Sequence, residues 1–201
     1  MDTAALALSG EMALLARARE DISAFAPLYD RYFTPVYNYI RYRVPEPDTA
    51  DELTARVFER VLEKLNSYAP DKGPFGSWLF AIAHNVVSDY LRARRRHRWL
   101  PLELLLDHPS SEFQPEETAL QRESESELLR ALCCLSDRER EVIALKFAAG
   151  LPNTEIAKLT GLSQSNVGVT LYRAVKRLRA TLVSNGDSHQ EPQASRARVV
   201  G

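Results

Sequence analysis

The sequence predicts an all-α protein made of two small helical domains joined by a flexible acidic linker. Apolar residues recur at steps of three and four through residues 21–43, 50–65 and 79–91 and again through 128–182, the period of helices with one buried face. Between those blocks, residues 100–127 lose the period and carry Glu103, Asp107, Glu112, Glu116, Glu117, Glu123, Glu125 and Glu127 against Arg122 alone. Near the end, Thr160-Gly161-Leu162 joins two short helical patterns through a tight corner. The expected domains are residues 1–99 and 128–183, with the linker at 100–127 and a disordered tail at 184–201.

Composition agrees with this division. A chain of 201 residues with 45% hydrophobic residues can bury a real core and holds one or two domains. No apolar run approaches the roughly 18 residues of a membrane span, and residues 1–10 lack the pattern of a signal peptide, so the expectation is a cytoplasmic protein without membrane insertion. Cys133 and Cys134 are adjacent, have no other cysteine to pair with and no nearby His, and read as packed thiols rather than as a redox or metal site. The net charge of -1 hides basic clusters at 92–98 and 173–179, so the overall balance does not exclude nucleic acid as a partner.

In the first half, a short helix is expected up to about Glu20, then a helical stretch with Phe25, Leu28, Tyr29, Tyr32, Phe33, Val36, Tyr37 and Ile40 inward, kinked or interrupted at Pro35. Pro45 and Pro47 end it. Thr49 and Glu52 form a capping box for the next helix, whose inner stripe is Leu53, Val57, Val61 and Leu65. Its charged faces suit either solvation or docking. The turn-rich loop 66–74, NSYAPDKGP, leads into a helix that Ser77 can cap and that buries Leu79, Ile82, Ala83, Val86, Val87, Tyr90 and Leu91. Its other side lines up Asn85, Ser88 or Asp89, Arg92 and Arg96, and the helix runs out through Arg94, Arg95 and Arg98. Such an end suits a phosphate backbone, or is a solvated terminus favoured by the helix dipole.

In the second half, Leu128, Leu129, Leu132 and Leu135 open a helix, and Ser136 with Glu139 forms a second capping box for a helix running to Gly150. Asn153 can cap the next, short helix and Ser163 the one after, with Leu162 and Val167 as a hydrophobic staple. The last helix keeps Val167, Leu171, Ala174, Val175, Leu178 and Leu182 inside. Its outer residues include Gln164, Ser165, Tyr172, Arg173 and Lys176. A helix, a glycine corner and a second helix make a helix-turn-helix, whose second helix enters a major groove by its N-terminal end, although a plain helical hairpin shares the pattern.

Two motif sets in this order, DELTARVFERVLEKL with GPFGSWLFAIAHNVVSDYLRARRR and then LSDREREVIALKFAAGLPNTEIAKLTGLSQSNVGVTLYRAVKRLR, resemble the bacterial sigma factors, specifically the small extracytoplasmic-function (ECF) group. The resemblance spans residues 21–182. It implies a transcription initiation factor that binds core RNA polymerase and directs it to promoter DNA, held in part as duplex and in part as melted single strand. Asn85, Ser88, Arg92, Arg95, Arg96 and Lys72 correspond to positions that hold the minus-ten element. Gln164, Ser165, Asn166, Thr170, Arg173 and Lys176 correspond to those that read the minus-thirty-five element, and Asp51, Glu52, Leu53 and Phe58 to those that dock on the polymerase clamp. Family members are often held by an anti-sigma partner, which the flexible linker permits. No catalytic residue, cofactor or metal is implied. Ala55-Arg56 replaces a frequent Gln-Glu pair, and Gly168 and Thr170 stand where basic residues are common.

Two other functions compete. A stand-alone helix-turn-helix regulator explains the second domain and leaves the Asn85 to Arg98 side idle. A hydrolase would need His84 with Asp89, or Asp107 with His108, but each is a pair without a third ligand.

Overall fold

The computed structural model describes residues 3–97 and 119–188, and among these it holds helices and short helical turns with no strand. In the first half α1 spans Thr3–Glu20, α2 Ala26–Arg43, α3 Pro47–Lys64 and α4 Phe75–His97. In the second, α5 spans Ala119–Cys133, α6 Asp137–Ile143, α7 Asn153–Thr160 and α8 Gln164–Ser188, with a π-helical turn at Ala144–Ala148 after α6. Residues 98–118 and 189–201, which include most of the expected linker, Asp107, His108 and most of the expected tail, lie outside the described residues.

Several helix starts differ from the sequence expectation. α3 begins at Pro47, whose fixed φ suits a first turn, so the Thr49 and Glu52 box falls inside the helix and Glu46 takes the cap position. α4 begins at Phe75, two residues before Ser77, because the buried Phe75 ring packs edge-on against Tyr32 and Tyr68 at centroid distances of 5.5 and 5.4 Å. Asn153 is the first residue of α7 and Pro152 its cap. α5 starts at Ala119, inside the stretch read as linker, and α8 continues to Ser188, past the point where a tail was expected. The Ser136 capping box forms as expected: Ser136 Oγ accepts from the Glu139 amide at 3.3 Å, and Glu139 Oε2 accepts from the Ser136 amide at 3.0 Å.

α2 is the central helix. A 3-10 turn at Ile22–Phe25, capped by the Asp21 carboxylate, leads into it, and it runs unbroken through Pro35, so neither a single stretch from Asp21 nor an interruption is found. Proline removes one backbone bond there. The stacked Phe33 and Tyr37 rings, at 6.0 Å, lie on either side of it. One side of α2 packs on α3 and α4, and the other on α6 and the π-helical turn, so Tyr39, absent from the expected inner set, is fully buried. Tyr29, expected inside, is exposed. A single apolar cluster runs from Leu28, Val57 and Leu79 of the first half to Val142, Leu145 and Ile156 of the second. Burial of that kind is the main stabilising term, at about 25 cal/mol per Å² of apolar surface. Cys133 and Cys134, expected as packed thiols, are both exposed.

Candidate nucleic-acid interface

The inner stripe of α4 fixes which side faces outward. Leu79, Ile82, Ala83, Val86 and Val87 are buried, which turns Asn85, Asp89, Arg92 and Arg96 to solvent and leaves Ser88 half-buried at the edge. Arg92 Nη2 donates to Asp89 Oδ1 at 2.6 Å. Arg94 clamps Glu46 with two bonds of 3.0 and 2.7 Å, tying α4 to the start of α3. Arg95 pairs with Asp137 at the start of α6. The arginines are therefore held in order along the helix by single exposed carboxylates. Such screened pairs are weak, worth about 0–1 kcal/mol.

The loop before α4 is more rigid than its turn-rich sequence suggests. The Tyr68 ring is buried between Phe75 and Trp78, its hydroxyl donates to the Gly73 carbonyl at 3.0 Å, and Arg19 of α1 donates to its carbonyl oxygen. Gly73, at φ +141°, completes the turn. Pro70, Asp71 and Lys72 are thereby held at an exposed tip beside α4. Trp78 packs on Tyr68 and Phe75 at centroid distances of 5.4 and 5.5 Å and anchors the start of α4 to the loop. Below the loop, Tyr32 donates to Glu11 at 2.7 Å, and burial and this bond together push the Tyr32 hydroxyl well above its usual range. Glu11 and Arg19 went unnoticed in the sequence, since nothing in a helix of mixed charge marks which residue reaches a distant loop.

The second surface is the N-terminal half of α8. Gly161, in the left-handed region at φ +70°, ends α7 and turns the chain, and Ser163 Oγ accepts from the Asn166 amide at 3.2 Å to open α8. Val167 and Ala174 are buried, so Gln164, Ser165, Asn166, Arg173 and Lys176 point outward, with Thr170 half-buried between them. Tyr172 stands 71% exposed on the same helix. Of the four residues carried over for polymerase docking, Asp51 and Glu52 are exposed on α3, whereas Leu53 and Phe58 are each 4% exposed and belong to the core. Phe58 packs there against Tyr29 at 4.6 Å.

Between the halves lies a buried charge cluster. Glu141 Oε1 accepts from Arg43 Nη1 at 3.1 Å and from His84 Nε2 at 3.0 Å, and Arg138 approaches Oε2 at 3.4 Å. A carboxylate that only accepts requires the His84 proton on Nε2. Burial alone would raise the Glu141 carboxyl, but the His84 bond and the Arg43, His84 and Arg138 charges outweigh it and bring it down to about 2. His84 thus faces Glu141 and not Asp89, and the acid-base pair considered from the sequence does not form. Among the described residues no group of three or more His, Cys, Asp or Glu is placed to hold a metal ion, and no helix is long and apolar enough to cross a membrane.

Comparison with known proteins matches the two halves separately and in order. Residues 28–97 match the Sigma-70 region 2 family, and residues 125–178 match Sigma-70, region 4. The chain is 34% identical over 172 residues to the ECF RNA polymerase sigma factor BldN of Streptomyces coelicolor, covering 85% of this chain and 65% of that one, so it spans just under two thirds of that relative. It is 32% identical to the ECF RNA polymerase sigma factor SigX of Bacillus subtilis, covering 77% and 81%. Among solved structures, CnrH in complex with the cytosolic domain of CnrY superposes with a TM-score of 0.61 at 26% identity, covering 86% of this chain and 96% of that one. The two regions stand in one chain, in the order their motifs take in the sequence, and the chain belongs to the ECF RNA polymerase sigma factors.

Proposed function

We propose that this protein is a transcription initiation factor that binds core RNA polymerase and directs promoter recognition and melting, working in the cytoplasm through binding alone. One observation carries the reading: an amide-and-arginine face on α4 beside a braced loop, and a glycine-cornered helix-turn-helix, occur in one chain. The first suits single-stranded DNA and the second suits duplex. An unstacked base offers its pairing edge to the Asn85 amide, and Lys72, Ser88, Arg92, Arg95 and Arg96 follow the backbone on either side. Gln164, Ser165, Asn166 and Thr170 reach base edges in a major groove, and Arg173 and Lys176 hold phosphates. Asp51 and Glu52 give α3 an acidic patch for the polymerase, with Leu53 and Phe58 supporting it from the core. A partner of anti-sigma type, which the family resemblance implies, belongs to the same proposal, and the CnrH structure, a complex with the cytosolic domain of CnrY, shows that this fold is compatible with a bound protein partner.

Run-off transcription with core polymerase and a promoter library tests the reading. Protein-dependent transcripts from a shared two-part promoter are expected, with Asn85→Ala defective in melting and Arg173→Ala defective in duplex binding. The absence of transcripts and of co-elution with core polymerase would overturn it.

A further inference from the structure

Ser165, Val169, Tyr172 and Lys176 follow one another at three- and four-residue steps along α8, so they form a single ridge. Val167 and Ala174 are fully buried and fix the inward direction, which puts that ridge on the opposite side, and all four of its residues are exposed. Two of the four are apolar. Val169 is 47% exposed, and Tyr172, at 71%, is the most exposed large apolar side chain among the described residues. We propose that Val169 is a specificity-determining residue that packs on the C5-methyl group of a thymine in the minus-thirty-five duplex. The proposal rests on the initiation reading above and extends it to which base the middle of the ridge selects.

Folding gives Val169 no reason to be apolar. A β-branched side chain costs helix stability relative to Ala, and at an exposed position no burial offsets that cost. Exposed apolar residues scattered singly are ordinary. Val169 and Tyr172 instead stand together in the middle of a ridge that begins at Ser165, a hydrogen-bonding partner for base edges, and ends at Lys176, a partner for phosphate. From Gln164 to Val183 the helix has no Asp or Glu and carries Arg173, Lys176, Arg177 and Arg179, so its field attracts a polyanion.

The chemistry of the major groove then names the base. Adenine, guanine and cytosine offer hydrogen-bond donors and acceptors there, and thymine alone adds a methyl group. A valine laid over a polar edge strips its water and returns no hydrogen bond, which costs affinity. Over a methyl group it removes apolar surface of both partners from water. The helical rise of about 1.5 Å per residue places Val169 about 6 Å beyond Ser165, within the stretch that a groove about 12 Å wide admits. Gly168 precedes it, and a side chain there would meet nothing within 4 Å, so the backbone is bare at that point and base edges can come close. Tyr172 lies about 4.5 Å farther along, toward the groove's edge, where a tyrosine hydroxyl donates to the sugar-phosphate backbone.

The test uses the full-length protein in complex with core polymerase and a promoter fragment that supports protein-dependent run-off transcription, at one fixed salt concentration. Each thymine of the minus-thirty-five element is replaced in turn by uracil, which removes the methyl group and keeps every hydrogen-bonding atom. Modified and unmodified fragments compete in one reaction, so the ratio bound does not depend on how much of the protein is active. One uracil replacement is expected to lower the affinity of the wild-type complex about fourfold, the worth of one buried methyl group. With Val169→Ala the same two fragments should bind equally. A wild-type complex indifferent to every replacement, or an element that holds no thymine, overturns the proposal, and continued transcription from the unmodified fragment leaves the initiation reading standing. A preference for thymine that survives Val169→Ala overturns it too, since another side chain then meets the methyl group and the exposed valine is left to a protein partner.

Discussion

The Tyr68 hydroxyl closes a ring on Gly73, donating at 3.0 Å to a carbonyl five residues on, with the exposed tip of the loop held between them. A hydrogen bond of this kind contributes about 1 kcal/mol, which is about a fivefold shift in the population of one loop shape. Tyr68→Phe keeps the ring packed on Phe75 and Trp78 and removes only the bond. Global stability is expected to fall by no more than a few degrees in Tm, while promoter opening, followed by a fluorescent base at the melted position, falls about fivefold. Equal losses in opening and in binding to core polymerase would show that the loop has no separate part.

Two glycines in the second half predict effects of opposite sign. A side chain at Gly161 would meet nothing within 4 Å, so Gly161→Ala costs only the left-handed backbone, about 1–2 kcal/mol. Gly168 lies inside α8, again with nothing within 4 Å, and Gly168→Ala is expected to stabilise the helix by about 1 kcal/mol. Thermal melts of the two variants should move to opposite sides of wild type. A Gly161→Ala protein as stable as wild type would mean the corner relaxes out of the left-handed region.

Much of this was readable in the pattern of residues, and the failures have physical causes. The α3 stripe of Leu53, Val57, Val61 and Leu65 was legible because α3 buries one side only. α2 buries two, so periodicity missed Tyr39 and put Tyr29 inside. Helix starts slipped at Ser77 and Thr49 because the burial of Phe75 and the fixed φ of Pro47 outweighed a good capping residue. The Asn85 to Arg96 side of α4 was legible as a row of donors. Its pairing with α6 was not, since Arg95 and Asp137 lie 42 residues apart and His84 and Glu141 57, and a charged residue in a helical pattern reads as solvated.

The Glu141 carboxyl gives a pH dependence whose sign is fixed by its surroundings. Its folded value, about 2, lies below the ordinary 4.5, so its contribution is complete above about pH 4.5 and is lost as pH falls toward 2. The difference corresponds to about 3 kcal/mol. Glu141→Gln should therefore be clearly less stable than wild type near neutral pH, with the gap narrowing on acidification through that window. Paired denaturant titrations at several pH values measure it. A gap that stays constant from about pH 6 to about pH 3 would mean that the charge on Glu141 contributes nothing.

Contacts to phosphate and to base edges differ in how they respond to salt, which separates the residues on α8. Arg173 is exposed beyond the first two turns of α8, and on the proposed function Arg173→Ala is expected to weaken duplex binding at every sequence and to reduce the slope of log affinity against log salt by about 1. Asn166 lies at the first turn, where a side chain meets base edges. Asn166→Ala should leave the salt slope unchanged and relax preference at one base pair, a change of about 1–3 kcal/mol between the best and the next sequence. Salt titrations against a set of single-base duplex variants distinguish the two. If Arg173→Ala alters preference at one base pair and leaves the slope intact, then Arg173 reads sequence, and the division between the start of α8 and its later turns has to be redrawn.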